Sequence, residues 1–179
     1  MKLSWLGGLA FALAVPQAAL ADRLEAGARF GDWTVACEAI AVNETICVLS
    51  QQLIARNGDR FLTELLAFND AEAPRAYLAA RVPLGVYFPP GFSMRPEGAG
   101  EALDFEWQSC DASLCEALLV LDDAALQSLS AEVTAIAGYV PVTGAEPLVF
   151  RVGTEGLADG LAALARAFGV PGVDGLAAD

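Results

Sequence analysis

Apolar and polar positions alternate in short runs along most of the chain. Leu103, Phe105 and Trp107 alternate with Asp104, Glu106 and Gln108, the period of two that lays one face of a strand on a core. Trp33 to Cys37, Ile46 to Gln52 and onward to Ala55, and Phe61 to Phe68 read as strands. Tyr77 to Val82 and Val86 to Phe88 form another extended pair, interrupted by Pro83. The prolines at 83, 89, 90 and 96 confine that region to edges, strand ends or loops. Cys115 to Leu121, Val133 to Ile136 and Leu148 to Val152 complete the run. Turn signals separate the strands at Asn43–Thr45, Arg56–Asp59, Gly98–Gly100 and Pro141–Gly144.

Two segments break this pattern. Asp122 or Asp123 can cap a short helix over Ala124 to Leu129. Thr154 is the expected N-cap of a final helix, where Leu157, Leu161, Leu164, Ala165 and Phe168 share one face. Gly169 and Pro171 stop that helix. Short strands followed by one amphipathic helix predict a single mainly-β domain over 22–179, a sandwich with the helix covering one face or end.

The cysteines refine this picture. Cys37 and Cys47 flank a polar turn between two strands, and Cys110 and Cys115 flank the four-residue loop Asp111–Leu114. Facing positions on antiparallel strands have Cβ separations that suit a bridge, so the expected pairs are Cys37–Cys47 and Cys110–Cys115. Loops this short stabilise less than crossed pairings, so register fixing is their main role. A four-cysteine zinc site is the alternative, but these spacings lack the C-x2-C knuckle. A redox centre of the C-x-x-C kind is absent from the sequence.

The amino terminus places the chain outside the cytoplasm. Lys2 precedes an apolar run from Leu6 to Val15, then Pro16-Gln17 and the small-residue end Ala19-Leu20-Ala21. That is the form of a secretory signal over 1–21, cleaved before Asp22, leaving a periplasmic or secreted protein with no membrane span. An uncleaved anchor is the competing reading of the same apolar run. Lys2 is the only lysine, so arginine is the sole side-chain cation of the remainder.

Charge and composition then exclude function classes. Ten Lys and Arg against 23 Asp and Glu give a net charge of −13, unsuited to a nucleic-acid phosphate backbone. The chain has no histidine, which removes Ser-His, Cys-His and His-metal chemistry. Acid–base work would fall to carboxylates such as Asp104 with Glu106, or Asp122 with Asp123. Their positions suit a solvated strand face and a helix start better than an active site. No Walker loop, EF-hand or G-x-G-x-x-G is present, and no cofactor is called for. Asn43-Glu44-Thr45 matches a glycosylation sequon, which matters only in eukaryotic secretion.

These exclusions point away from an enzyme and towards an exported protein that works by binding. A small carboxylate-based periplasmic hydrolase and a chaperone-like stress factor are the alternatives. Val82, Leu84, Val86, Tyr87, Phe88 and Phe92 form the candidate partner surface, because proline-bounded apolar edges recruit partners by strand addition or aromatic anchoring. An ordinary buried strand is the competing reading of these residues.

Several segments together resemble the invasion-associated locus B family of exported α-proteobacterial proteins. They are Phe30-Gly31-Asp32-Trp33-Thr34-Val35-Ala36-Cys37, then Cys47 with Gln51-Gln52, and Val82-Pro83-Leu84-Gly85-Val86 with Pro89-Pro90-Gly91. Trp107-Gln108-Ser109-Cys110, Cys115 and the Gly156-Leu157 helix follow in the same order. The resemblance implies a small immunoglobulin-like β-sandwich exported to the periplasm or envelope. In pathogenic members of that family it implies a link to invasion of host cells, including erythrocytes, and so a non-enzymatic interaction protein whose partner is a protein of the envelope or a host surface. It implies no catalytic residue.

Overall fold

The computed structural model describes residues 24–42, 44–56, 60–98 and 100–169. The signal segment, Asn43 of the sequon, and parts of the 56–59 and 98–100 turns lie outside the described residues. Within them the elements run β1 (Arg29–Phe30), β2 (Trp33–Ala41), β3 (Glu44–Ile54), β4 (Phe61–Asn69), β5 (Ala76–Pro83), β6 (Phe92–Pro96), β7 (Leu103–Cys110) and β8 (Leu114–Leu121). There follow α1 (Asp123–Ser130), β9 (Thr134–Tyr139), β10 (Leu148–Gly153) and α2 (Leu157–Phe168). The strand order is β1-β2-β3-β4-β5-β8-β7-β6-β9-β10, antiparallel at every step.

The mainly-β expectation with a carboxy-terminal helix holds. The layers are joined into one continuous sheet that curls back on itself. β7 makes the corner: Leu103 to Phe105 pair with β6, while Glu106 to Cys110 pair with β8. A register shift between Trp107 and Ser109 lies within that strand, and a bulge is what lets a strand bend from one layer to the next. The Tyr139 hydroxyl donates to the Leu62 carbonyl at 3.2 Å, which ties β9 across the interior to β4.

Alternation selects the buried face. Leu49, Leu65, Ala67, Leu78, Ala80, Val82 and Ala117 point inward from neighbouring strands and are fully buried. From the other layer come Phe92, Met94, Phe105 and Tyr139. The Phe92 ring stands 4.9 Å from Phe105, edge to face, and 6.2 Å from Tyr139. α2 completes the second layer over β2, β3 and β4. Gly160 lets the helix close on the sheet there, since a Cβ at that position would lie 2.6 Å from the Leu49 side chain.

Both hairpin disulfides form as expected. Cys37 faces Cys47 and Cys110 faces Cys115 in register, each pair with Cα atoms 4.0 Å apart. Asp122 is the N-cap of α1, accepting from the Ala125 N–H at 2.8 Å. Thr154 is not the cap of α2. It is buried, its hydroxyl donates to the Glu132 carbonyl, and Gly156 in the left-handed region (φ 82°) takes the cap position. Only a glycine fits, because a Cβ there would meet the Phe30 carbonyl at 2.3 Å. Phe168, expected on the buried helix face, is 47% exposed at the last turn.

Gln51 closes the sheet. Alternation places it on the inner face between Leu49 and Leu53, an unusual place for an amide. Its Nε2 donates to the Gly153 carbonyl at 3.1 Å, and its Oε1 accepts from the Gly153 N–H at 3.1 Å. One side chain thereby does for β10 what a neighbouring strand would do. A third bond joins Nε2 to the Asp32 carbonyl at 3.3 Å.

Candidate partner-binding surface

The topology dictates the exposed segment. β5 and β6 are consecutive in sequence but separated by β8 and β7 in the sheet, so residues 84–91 must arch over the sheet's end. Pro83 and Phe92 are the strand ends on either side. The Leu84 N–H donates to the Ser113 carbonyl at 3.0 Å, and the Tyr87 N–H to the Val140 carbonyl at 2.9 Å. Those two bonds fix the strap's backbone at Leu84 and Tyr87.

The six candidate residues accordingly divide. Val82 and Phe92 are fully buried and Val86 is 9% exposed, so these three belong to the core and not to a surface. Strand alternation sends Val82 and Phe92 inward, and Val86 plugs the sandwich end. Leu84 (54%), Tyr87 (38%) and Phe88 (49%) remain open to solvent. The Phe88 ring packs edge-on against Trp107, with centroids 5.5 Å apart. The strap also departs from the expected strand over Val86 to Phe88: the extended pairing begins only at Phe92, beyond Pro89-Pro90.

Beside the strap lies a groove of about 400 Å³ on the outer face of β6, β9 and β10. Pro90, Gly91, Val140 and Pro147 line it together with Ser93, Arg95, Ile136 and Val149. Ser93, Gly138 and Val149 are cross-strand neighbours, and so are Arg95, Ile136 and Arg151 in the adjacent row. Gly138 keeps the floor open, since a Cβ there would lie 2.8 Å from the Leu148 carbonyl oxygen. An apolar cleft with a hydroxyl and a guanidinium at its wall has the make-up of a recognition site. Little in the sequence signalled it, because the strand expected over Val133 to Ile136 stops short of Gly138, which the structure places inside β9.

The carboxylates serve structure wherever the contacts define their use. Asp122 caps α1. Asp111 accepts from the Ser113 and Leu114 N–H groups at 2.7 and 2.8 Å, closing the Cys110–Cys115 hairpin loop. Those backbone bonds, Leu114 first, hold its carboxyl below the ordinary aspartate range. The Glu72 N–H and then Arg75 lower Asp70 in the β4–β5 turn. Arg151, bonded through its Nε at 2.7 Å, lowers Glu97. Asp104 and Glu106 lie exposed on one face of β7, and Asp104 sits across from Ser93. No group of three or more metal-ligating side chains occurs among the described residues.

Taken together, these features define a small disulfide-pinned antiparallel β domain of the kind found outside the cytoplasm. The family model for invasion associated locus B (IalB) protein matches residues 33–165, and the chain belongs to that family. The crystal structure of invasion associated protein B from Bartonella henselae has the same fold. It superposes with a TM-score of 0.63 at 17% sequence identity, over 76% of this chain and 92% of the other. No curated protein matches the chain. No helix among the described residues is long and apolar enough to cross a membrane.

Proposed function

We propose that this chain is an exported, non-enzymatic interaction protein of the periplasm or envelope, and that the strap around Leu84, Tyr87 and Phe88 holds its protein partner. One observation carries the reading. Three large apolar side chains stand open within a five-residue span whose backbone is fixed at Leu84 and Tyr87. Aromatic groups on a pre-ordered segment bind with little further loss of entropy, which is the character of interface anchors. The signal-like amino terminus and the two disulfides support export to an oxidising compartment. In pathogenic relatives the partner would be part of host-cell invasion.

The test is simultaneous alanine substitution of Leu84, Tyr87 and Phe88. The variant keeps its disulfides and far-UV spectrum but loses its partner in co-purification from the native envelope. Undiminished capture by this folded variant would sink the assignment.

A further inference from the structure

The hairpin of β7 and β8 holds the strap beside two of its three exposed side chains. At the hairpin tip the Ser113 carbonyl accepts from the Leu84 N–H at 3.0 Å. On β7 the Trp107 indole meets the Phe88 ring, with centroids 5.5 Å apart. Leu84 and Phe88 therefore stand where this hairpin puts them, and the Val140 carbonyl holds Tyr87 between them.

The ladder alone determines that hairpin weakly. Its register shifts between Trp107 and Ser109, and beyond the shift the strands pair only at Ser109–Glu116 and Cys110–Cys115. An irregular pair has a competing register one residue away, and such a slip turns side chains to the opposite face. For Trp107 that means leaving the face on which Phe88 packs. Two devices oppose the slip. The Asp111 carboxylate accepts from the Ser113 N–H, the Ser113 hydroxyl and the Leu114 N–H, which shapes the turn. The Cys110–Cys115 disulfide is the covalent tie across the ladder. Cys110 is exposed while Cys115 is 1% exposed, so a reductant reaches the bond from the Cys110 side. The other disulfide, Cys37–Cys47, lies on β2 and β3, with β4 and β5 between it and β8.

We propose that Cys110–Cys115 is a redox latch on the partner surface. Closed, it holds Leu84 and Phe88 in their binding arrangement; opened by a dithiol, it releases them. In the opening step a thiolate of the dithiol attacks the Cys110 sulfur, and Cys115 leaves as a thiolate that takes up a proton. The second thiol of the dithiol then displaces Cys110. Two electrons have passed to the protein, both cysteines are thiols, and the dithiol has become a disulfide. The inference rests on the strap being the partner surface, and it names how that surface is regulated. A surface competent for about a tenth of the time binds about tenfold more weakly, which sets the effect a latch must produce.

The test adds dithiothreitol to the folded protein, alongside a Cys110→Ser, Cys115→Ser variant and a Cys37→Ser, Cys47→Ser variant. Amide exchange at Leu84 reads the strap, exchange at the buried Leu65 reads the core, and co-purification from the native envelope reads capture. Opening the latch should speed Leu84 exchange by about tenfold or more and cut capture by a similar factor, with Leu65 still protected. Reoxidation should restore both. The Cys110, Cys115 variant should behave as the opened protein with or without dithiothreitol. The Cys37, Cys47 variant should follow the unsubstituted protein in each redox state. Unchanged Leu84 exchange or unchanged capture with the latch open overturns the proposal. So does an equal loss of protection at Leu65, which would make the bond a prop of the whole fold. An equal loss in the oxidised Cys37, Cys47 variant overturns it too. Failure of the strap reading looks different: the closed protein then captures no more than the Leu84, Tyr87 and Phe88 alanine variant, while Leu84 exchange still reports the latch.

Discussion

Replacing Gln51 by alanine should loosen the sheet at its closing seam. The substitution removes two hydrogen bonds to Gly153 at 3.1 Å and a longer one to the Asp32 carbonyl. A net 0.5–1.5 kcal/mol for each of the two shorter bonds gives a loss of about 1–3 kcal/mol. For a domain of this size about 2 kcal/mol corresponds to a fall in Tm of about 4–8 °C. Urea unfolding followed by far-UV circular dichroism measures the loss, and amide exchange at Gly153 localises it.

Gln51→Glu sharpens the test. Its carboxylate would face the Asp32 and Gly153 carbonyls, so at neutral pH it should destabilise at least as much as alanine. Such a carboxyl has its native pKa raised, and protonation restores the missing donor. The deficit should therefore shrink as pH falls through that raised value. If Gln51→Ala stays within about 0.5 kcal/mol of the unsubstituted protein, an ordinary surface effect, the closing role is refuted.

Three further outcomes follow from the same geometry. Phe92→Ala should cost about 3–5 kcal/mol in urea unfolding, as removal of a buried ring does, whereas Tyr87→Ala should change stability by less than about 0.5 kcal/mol. Gly156→Ala should destabilise by about 2–4 kcal/mol, because it places a Cβ against the Phe30 carbonyl at a left-handed position; thermal melts report it. Asp111 has a depressed native pKa, so its contribution is complete above the ordinary aspartate value of 3.8 and is lost as pH falls through the lower native one. Asp111→Asn should flatten the acid limb of a stability–pH curve below about pH 4.

The local parts of this fold were legible because they are set by neighbours in sequence. Cys37 faces Cys47, and Cys110 faces Cys115, because a hairpin fixes its own register. Asp122 announces α1, and Gly169 ends α2. What the sequence concealed is non-local. Tyr77 to Val82 looked paired with the residues just beyond Pro83, yet β5 lies beside β4 and β8, and its successor β6 is three places away. That crossing separates Val82, Val86 and Phe92 from Leu84, Tyr87 and Phe88, although all six are apolar. Thr154 has the chemistry of an N-cap but is drawn inward to the Glu132 carbonyl. Gln51 was readable as an amide on an apolar strand face, but its partner Gly153 is 102 residues away. The groove is assembled from β6, β9, β10 and the strap, so no local segment announces it.

The central claim, that the strap is the partner surface, is tested most directly inside cells. Lysine chemistry is no use, since Lys2 is the only lysine. A photo-reactive amino acid introduced at Tyr87, with a control at the exposed Val120 of β8, samples two defined places on the protein. A partner seated on the strap gives one discrete conjugate from position 87, none from position 120, and loss of the conjugate when Leu84 and Phe88 are alanine. No conjugate from position 87, or an equal yield from position 120, would contradict it.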